Sequence, residues 1–145
     1  MQATDDDLIA YVITLCQQKG GVGKTTTAAC LSVALAKMGK KCLMIDLAPS
    51  GNLTSAFGIK SNQVQQTTAD LFHGTYTVEE LIKPTSLQGL SLIPSDASLS
   101  PVARELYQQP DYELVLQKIL GQRAFFDYDI LILDCPPGVD SITLN

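Results

Sequence analysis

The run Gln18-Lys19-Gly20-Gly21-Val22-Gly23-Lys24-Thr25-Thr26-Thr27 constrains this chain more than any other segment. The apolar stretch before it, Ala10 to Cys16, reads as a buried strand, and Ala28 to Met38 after it reads as a helix. A strand that delivers into a glycine loop, closed by Lys-Thr at a helix start, is an arrangement that holds phosphate groups. Gly20, Gly21 and Gly23 let successive backbone N–H groups converge on one point. Lys24 adds a charge between the outer phosphates, and the Thr25 hydroxyl is placed for a Mg²⁺ ion. The strict pattern G-x-x-x-x-G-K-[ST] fails at one place, where Gln18 replaces the first glycine. The dinucleotide fingerprint competes, since Gly21-Val22-Gly23 begins it and Asp46 follows a second strand. Thr26 occupies its last glycine place, however, and Lys-Thr at the helix start has no purpose in it.

Further strand-like runs occur at Lys41 to Ile45, Leu90 to Ile93 and Ile130 to Leu133. They are rich in Val, Ile and Leu without clean alternation, the mark of strands buried on both faces of a parallel sheet. Helical segments separate them. The first ends at Gly39; Thr77-Val78-Glu79-Glu80 is a capping box; Ser100-Pro101 reads as a helix start; Asp111 reads as the cap of a helix reaching Gly121. Asn62 to Thr68 is polar and glutamine-rich and reads as a surface connection, and His73 reads as a residue of a helix-end turn. The expectation is one α/β domain of P-loop NTPase type, a parallel sheet flanked by helices, over residues 1–145.

Composition narrows the partners. The chain has 145 residues, 46% of them hydrophobic, and a net charge of -5. That is enough apolar material for a core, and an acidic chain does not attract nucleic acid or anionic membrane as a whole. The ten Lys and Arg residues are scattered; Lys37, Lys40 and Lys41 form the nearest grouping, at a helix end where the dipole favours them. The N-terminus has three aspartates and no basic segment, so it does not read as a signal peptide, and no apolar run reaches the roughly 18 residues of a membrane span. Cys16, Cys30, Cys42 and Cys135 have no metal-site spacing and read as reduced core residues of a cytoplasmic protein.

A second constellation supports the first. Phe126 to Asp134 is an apolar strand ending in an acid, followed by Cys135-Pro136-Pro137-Gly138. Alone, such an acid is more often structural; beside a Gly-Lys-Thr loop it is placed to orient water on Mg²⁺. Together these residues resemble the ParA/MinD family of deviant Walker A ATPases, which position plasmids, chromosomes and other cargo. Lys19 to Thr26 matches its signature loop; Asp46-Leu47-Ala48-Pro49-Ser50-Gly51-Asn52-Leu53-Thr54-Ser55 is similar to its next motif, usually D-x-D-P-x-G-N; Asp134-Cys135-Pro136-Pro137 is similar to its Walker B end. The wording is closest to the ParA branch.

The resemblance implies ATP and Mg²⁺ as ligands. It implies an ATP-dependent sandwich homodimer in which Lys19 reaches the partner's phosphates, with Lys24 and Asp46 as further catalytic residues. It implies Lys19, Gly20, Gly21, Val22, Gly23, Lys24, Thr25 and Thr26 at the nucleotide, and Thr25, Asp46 and Asp134 around the metal. It also implies an activating partner protein and non-specific DNA, in a bacterial or archaeal cytoplasm at the nucleoid.

The chain departs from the family twice. Ala48 stands where the family carries the aspartate that positions the attacking water, so hydrolysis is expected to be weak. Family members also continue past Asn145 with further strands and helices, which carry adenine contacts and the DNA surface. The chain therefore reads as an N-terminal portion with the first strand's outer edge open to pairing or to a swapped assembly. Two other functions stay open: a non-hydrolysing dimerisation module, and a P-loop metabolic enzyme such as a kinase or amidoligase. The iron-sulfur reductase relatives need cysteines on loops at the dimer axis, which Cys16, Cys30 and Cys42 do not supply.

Overall fold

The computed structural model describes residues 10–60, 63–138 and 142–144. The aspartates of the N-terminus, Asn62, and the helix start expected at Asn145 lie outside the described residues. Chain order is β1 (Tyr11–Leu15), α1 (Lys24–Lys37), β2 (Cys42–Asp46), α2 (Asn52–Ala56), α3 (Thr68–His73), α4 (Val78–Leu81), β3 (Lys83–Pro84), β4 (Leu90–Ile93), α5 (Leu99–Leu106), α6 (Val115–Leu120) and β5 (Ile130–Asp134), with short 3-10 turns flanking α6. The sheet order is β1-β5-β2-β4-β3.

Four strands are parallel: β5 pairs with β1 on one side and β2 on the other, and β2 pairs with β4. The unbroken apolar runs explain the arrangement. Every residue of β2 and β5 is buried, because helices cover both faces. Leu43, Ile45, Leu131 and Leu133 point to a core shared with α3 to α6. Cys42, Met44, Ile130 and Ile132 point to the other, shared with α1 and α2. Helix α1 lies close to the sheet because its inward residues are small, Ala28, Ser32 and Ala36, and Ser32 donates its hydroxyl back to the Ala28 carbonyl at 2.7 Å.

Several expectations need correction. The sheet is not wholly parallel: β3 joins β4 antiparallel, two residues long and ending in Pro84, which a sheet edge tolerates. Helix α5 begins at Leu99, before Ser100, because the Asp96 carbonyl already accepts from Leu99 N. Pro101 then falls in the first turn, where the backbone N–H has no helical partner. Asp111 does not cap with its side chain; it adopts a left-handed backbone (φ 57°) and opens a 3-10 turn through its carbonyl. Thr67 and Thr68 are buried rather than on the surface, since Thr67 caps α3 and the Thr68 hydroxyl donates to the Asp46 carbonyl at 2.7 Å. Cys16 and Cys30 are exposed, so only Cys42 and Cys135 are core cysteines. The Thr77–Glu80 capping box is present, and His73 ends α3 against Glu105 at 3.1 Å.

Strand β1 is not the buried strand that its apolar sequence suggests: it forms an edge of the sheet among the described residues, with Tyr11 79% and Val12 48% exposed. An apolar groove of about 470 Å³ runs beside it, lined by Val12, Leu116, Leu120, Leu131 and Leu133 among others.

Candidate phosphate-binding site

The carboxyl ends of β1, β5 and β2 meet the N-terminus of α1 at one cleft of about 330 Å³. Crevices at this end of an open α/β sheet are where such folds bind ligands. The loop from Gly20 to Gly23 forms its rim, with Gly21 and Gly23 at positive φ (71° and 92°), a conformation side chains resist. Gly23 caps α1, and its carbonyl accepts the first helical bond from Thr27 N at 2.8 Å. The free N–H groups and the dipole of this helix end therefore face the cleft.

Gly20, Gly21, Gly23, Lys24, Thr25 and Thr26 line the cleft together. Across from them stand Ala48, Ser50, Asn52 and Pro137. Val22 and Lys19 are exposed and do not line it. Lys24 and Thr25 are half-buried.

The two strand-end acids sit in register, Asp46 opposite Asp134, and both are fully buried. Their surroundings differ. Neither oxygen of Asp134 accepts a well-formed hydrogen bond, although the Thr25 side chain lies close enough to interact with it. Burial raises its pKa above the ordinary carboxylate range and Asp46 adds in the same direction, while the neighbouring Thr25 hydroxyl and Lys24 oppose the rise. An unsatisfied buried carboxylate beside a half-buried threonine is costly by itself and suits a cation or its waters.

Asp46 is already engaged. Its Oδ1 accepts from Ala48 N at 3.1 Å, and its Oδ2 accepts from Thr54 N at 2.9 Å and Thr54 Oγ1 at 2.7 Å. Desolvation raises its pKa, and the bonds from Thr54 and the Ala48 amide offset part of the rise. No group of three or more His, Cys, Asp or Glu gathers as a metal site among the described residues. A hard divalent cation here would draw on Thr25, Asp134, water and phosphate oxygens, the mixture that Mg²⁺ accepts.

Ala48 is nearly buried, lines the cleft, and offers only a methyl group. Sequence reasoning did not single out Ser50, Asn52, Thr54 or Ser95. The first three lie in the stretch that resembles the second motif, which gives them no individual role; Ser95 and its contact with Thr54 leave no spacing in the sequence.

The strand, glycine loop and helix, feeding parallel strands that end at one cleft, define a P-loop NTPase-type domain. A protein-family profile described as an AAA domain matches residues 10–145. The sporulation initiation inhibitor protein Soj of Bacillus subtilis is 37% identical over 134 residues, covering 92% of this chain and 53% of Soj. Cobyrinic acid a,c-diamide synthase from Mycobacterium smegmatis, solved with a bound ATP analog and magnesium, superposes with a TM-score of 0.89 at 31% identity, covering 94% of this chain and 55% of that one. An Asp→Ala variant of McdA from Cyanothece, in complex with ATP, superposes at 0.87 with 29% identity, covering 93% and 51%. The chain belongs to the ParA/MinD family of deviant Walker A ATPases, within that AAA-domain group. It spans about half the length of the relatives it matches.

Proposed function

We propose that this chain is the nucleotide-binding portion of a ParA-type partitioning or positioning ATPase, a single P-loop domain that binds Mg²⁺·ATP and hydrolyses it slowly. The observation that carries the reading is Asp134, fully buried with neither oxygen in a well-formed hydrogen bond, beside Thr25, which lines a cleft rimmed by a glycine loop and a helix N-terminus.

In this reading the loop amides and Lys24 hold the phosphates. Thr25 and Asp134 hold the metal and its water. Mg²⁺, when bound, offsets charge on the β- and γ-phosphate oxygens. Lys19, exposed at the front of the loop, is free to reach a second subunit, where its charge would stabilise a γ-phosphate that is not its own. ATP would thereby control homodimerisation. Ala48 cannot accept a proton or orient a water, so the ATP-bound state would be long-lived. The McdA variant held with ATP is in keeping with that state. An activating partner protein and non-specific DNA belong to the longer relatives' activity and are proposed for the whole protein.

Titration calorimetry with ATP tests the reading. Binding should require Mg²⁺, and Lys24→Ala should weaken it by about tenfold or more, the loss of one charge-assisted contact. Absent or Mg²⁺-independent binding would overturn it.

A second reading is a ligase-type metabolic enzyme, favoured by the likeness to the diamide synthase. The two separate on output: a partition switch changes association state on ATP alone, whereas a ligase consumes ATP only with its acceptor substrate.

A further inference from the structure

One wall of the cleft is held from behind by a buried polar joint. The Thr54 hydroxyl donates to Asp46 Oδ2 at 2.7 Å and accepts from the Ser95 amide at 2.9 Å. Thr54 N donates to the same carboxylate oxygen at 2.9 Å. All three residues have zero solvent exposure. A hydroxyl whose proton is committed to a carboxylate and whose lone pair takes an amide cannot rotate without leaving a buried group unsatisfied. The joint ties together the end of β2, the start of α2 and the segment leaving β4. It also closes residues 47–53 into a loop, and that loop carries Ala48, Ser50 and Asn52 into the cleft. Gly51 seats the loop a second time: a Cβ there would lie 2.7 Å from the Ser95 carbonyl oxygen, and its φ of 60° is left-handed.

We propose that Thr54 is the positioning residue of this site, and that Asp46 acts through it to hold the Ala48–Asn52 wall against the bound phosphates. The proposal rests on the nucleotide reading above and assigns a task to a side chain that the motif leaves unexplained. Asp134 then serves the metal, and Asp46 serves the wall.

The test is binding of a fluorescent ATP analogue with Mg²⁺ by the 145-residue chain, paired with thermal unfolding. Thr54→Val keeps the shape and removes the hydroxyl; the dissociation constant should rise about tenfold, the equivalent of one hydrogen bond to a charged group. Thr54→Ser restores the hydroxyl and should bind like the unsubstituted chain. Val102→Ala, in the core on α5 and remote from the cleft, serves as a control for stability loss alone. Its midpoint should fall while its affinity holds. Should Thr54→Val fail to fold, Gly51→Ala tests the same wall from its other seat and should weaken binding similarly.

Equal binding by folded Thr54→Val, or a Thr54→Ser as weak as Thr54→Val, overturns the proposal. So does a loss of affinity in Val102→Ala matching that of Thr54→Val, or unchanged affinity in Gly51→Ala where Thr54→Val does not fold. No binding by the unsubstituted chain removes the nucleotide reading itself, and the proposal with it.

Discussion

Asp46 and Asp134 end neighbouring strands at matched positions, and each is an acid of the kind that closes a phosphate-binding strand. Sequence position cannot tell them apart. Their environments do: Asp46 accepts three hydrogen bonds from Ala48 and Thr54 just downstream, whereas Asp134 accepts no well-formed one and has the Thr25 side chain beside it. The same limit applies to Lys19, which motif reading puts with the phosphates and the fold puts outside the cleft lining. Its proposed task is therefore visible only with a second subunit. Lys19→Ala should leave Mg²⁺·ATP binding within about twofold and abolish ATP-dependent dimerisation, read by light scattering; a persistent dimer would count against the trans role. Ala48→Asp should raise steady-state phosphate release by roughly 10²–10⁴-fold, the gain typical of a positioned proton acceptor. An unchanged rate would show that Ala48 is not what slows hydrolysis.

At the scale of elements, legibility follows how local the determining interaction is. The glycine loop and α1 are set by residues adjacent in sequence, and both stand where the residues place them. Thr77-Val78-Glu79-Glu80 is likewise self-contained: Thr77 N donates to Glu80 Oε2 at 2.8 Å, and Glu80 N donates to Thr77 Oγ1 at 3.4 Å. Thr77→Ala should lower stability by about 1 kcal/mol in urea unfolding, and no change would mean that α4 is held by packing alone. The equivalent box at α3, Thr67 with Asp70, departs from the usual signature because aspartate stands where that has Glu or Gln. The start of α5 and the edge strand β3 were hidden for another reason. One is set by a turn at Asp96, the other by pairing with β4, and neither leaves a periodic pattern. The exposed Cys16 and Cys30 show the converse case, in which apolar neighbours in sequence are not neighbours in space.

For the whole molecule, the two faces of the sheet are finished to different degrees. The α1 face carries a small-residue helix seated closely on the strands. On the other face, the groove beside β1 has exposed Val12 and half-buried Leu120 on its walls, with the buried Leu116, Leu131 and Leu133 also lining it. An exposed apolar side chain beside a strand that has no outer sheet partner among the described residues favours association. The 145-residue chain without nucleotide should show an apparent mass that rises with concentration in sedimentation velocity, and Val12→Lys should suppress the rise. A concentration-independent monomer would count against an adhesive edge. This association is distinct from the proposed ATP dimer, which needs Lys19 and nucleotide.

The two margins of the sheet have a further consequence. At β3 the sheet is blunted: two residues, antiparallel, with a proline that cannot donate. At β1 it is not, and β1 runs directly into the glycine loop. Any strand recruited to this sheet, from whatever source, is thus steered to the side from which the phosphate loop is suspended. A strand added at that edge would lie beside the one strand whose end, Leu15, leads straight into the phosphate loop.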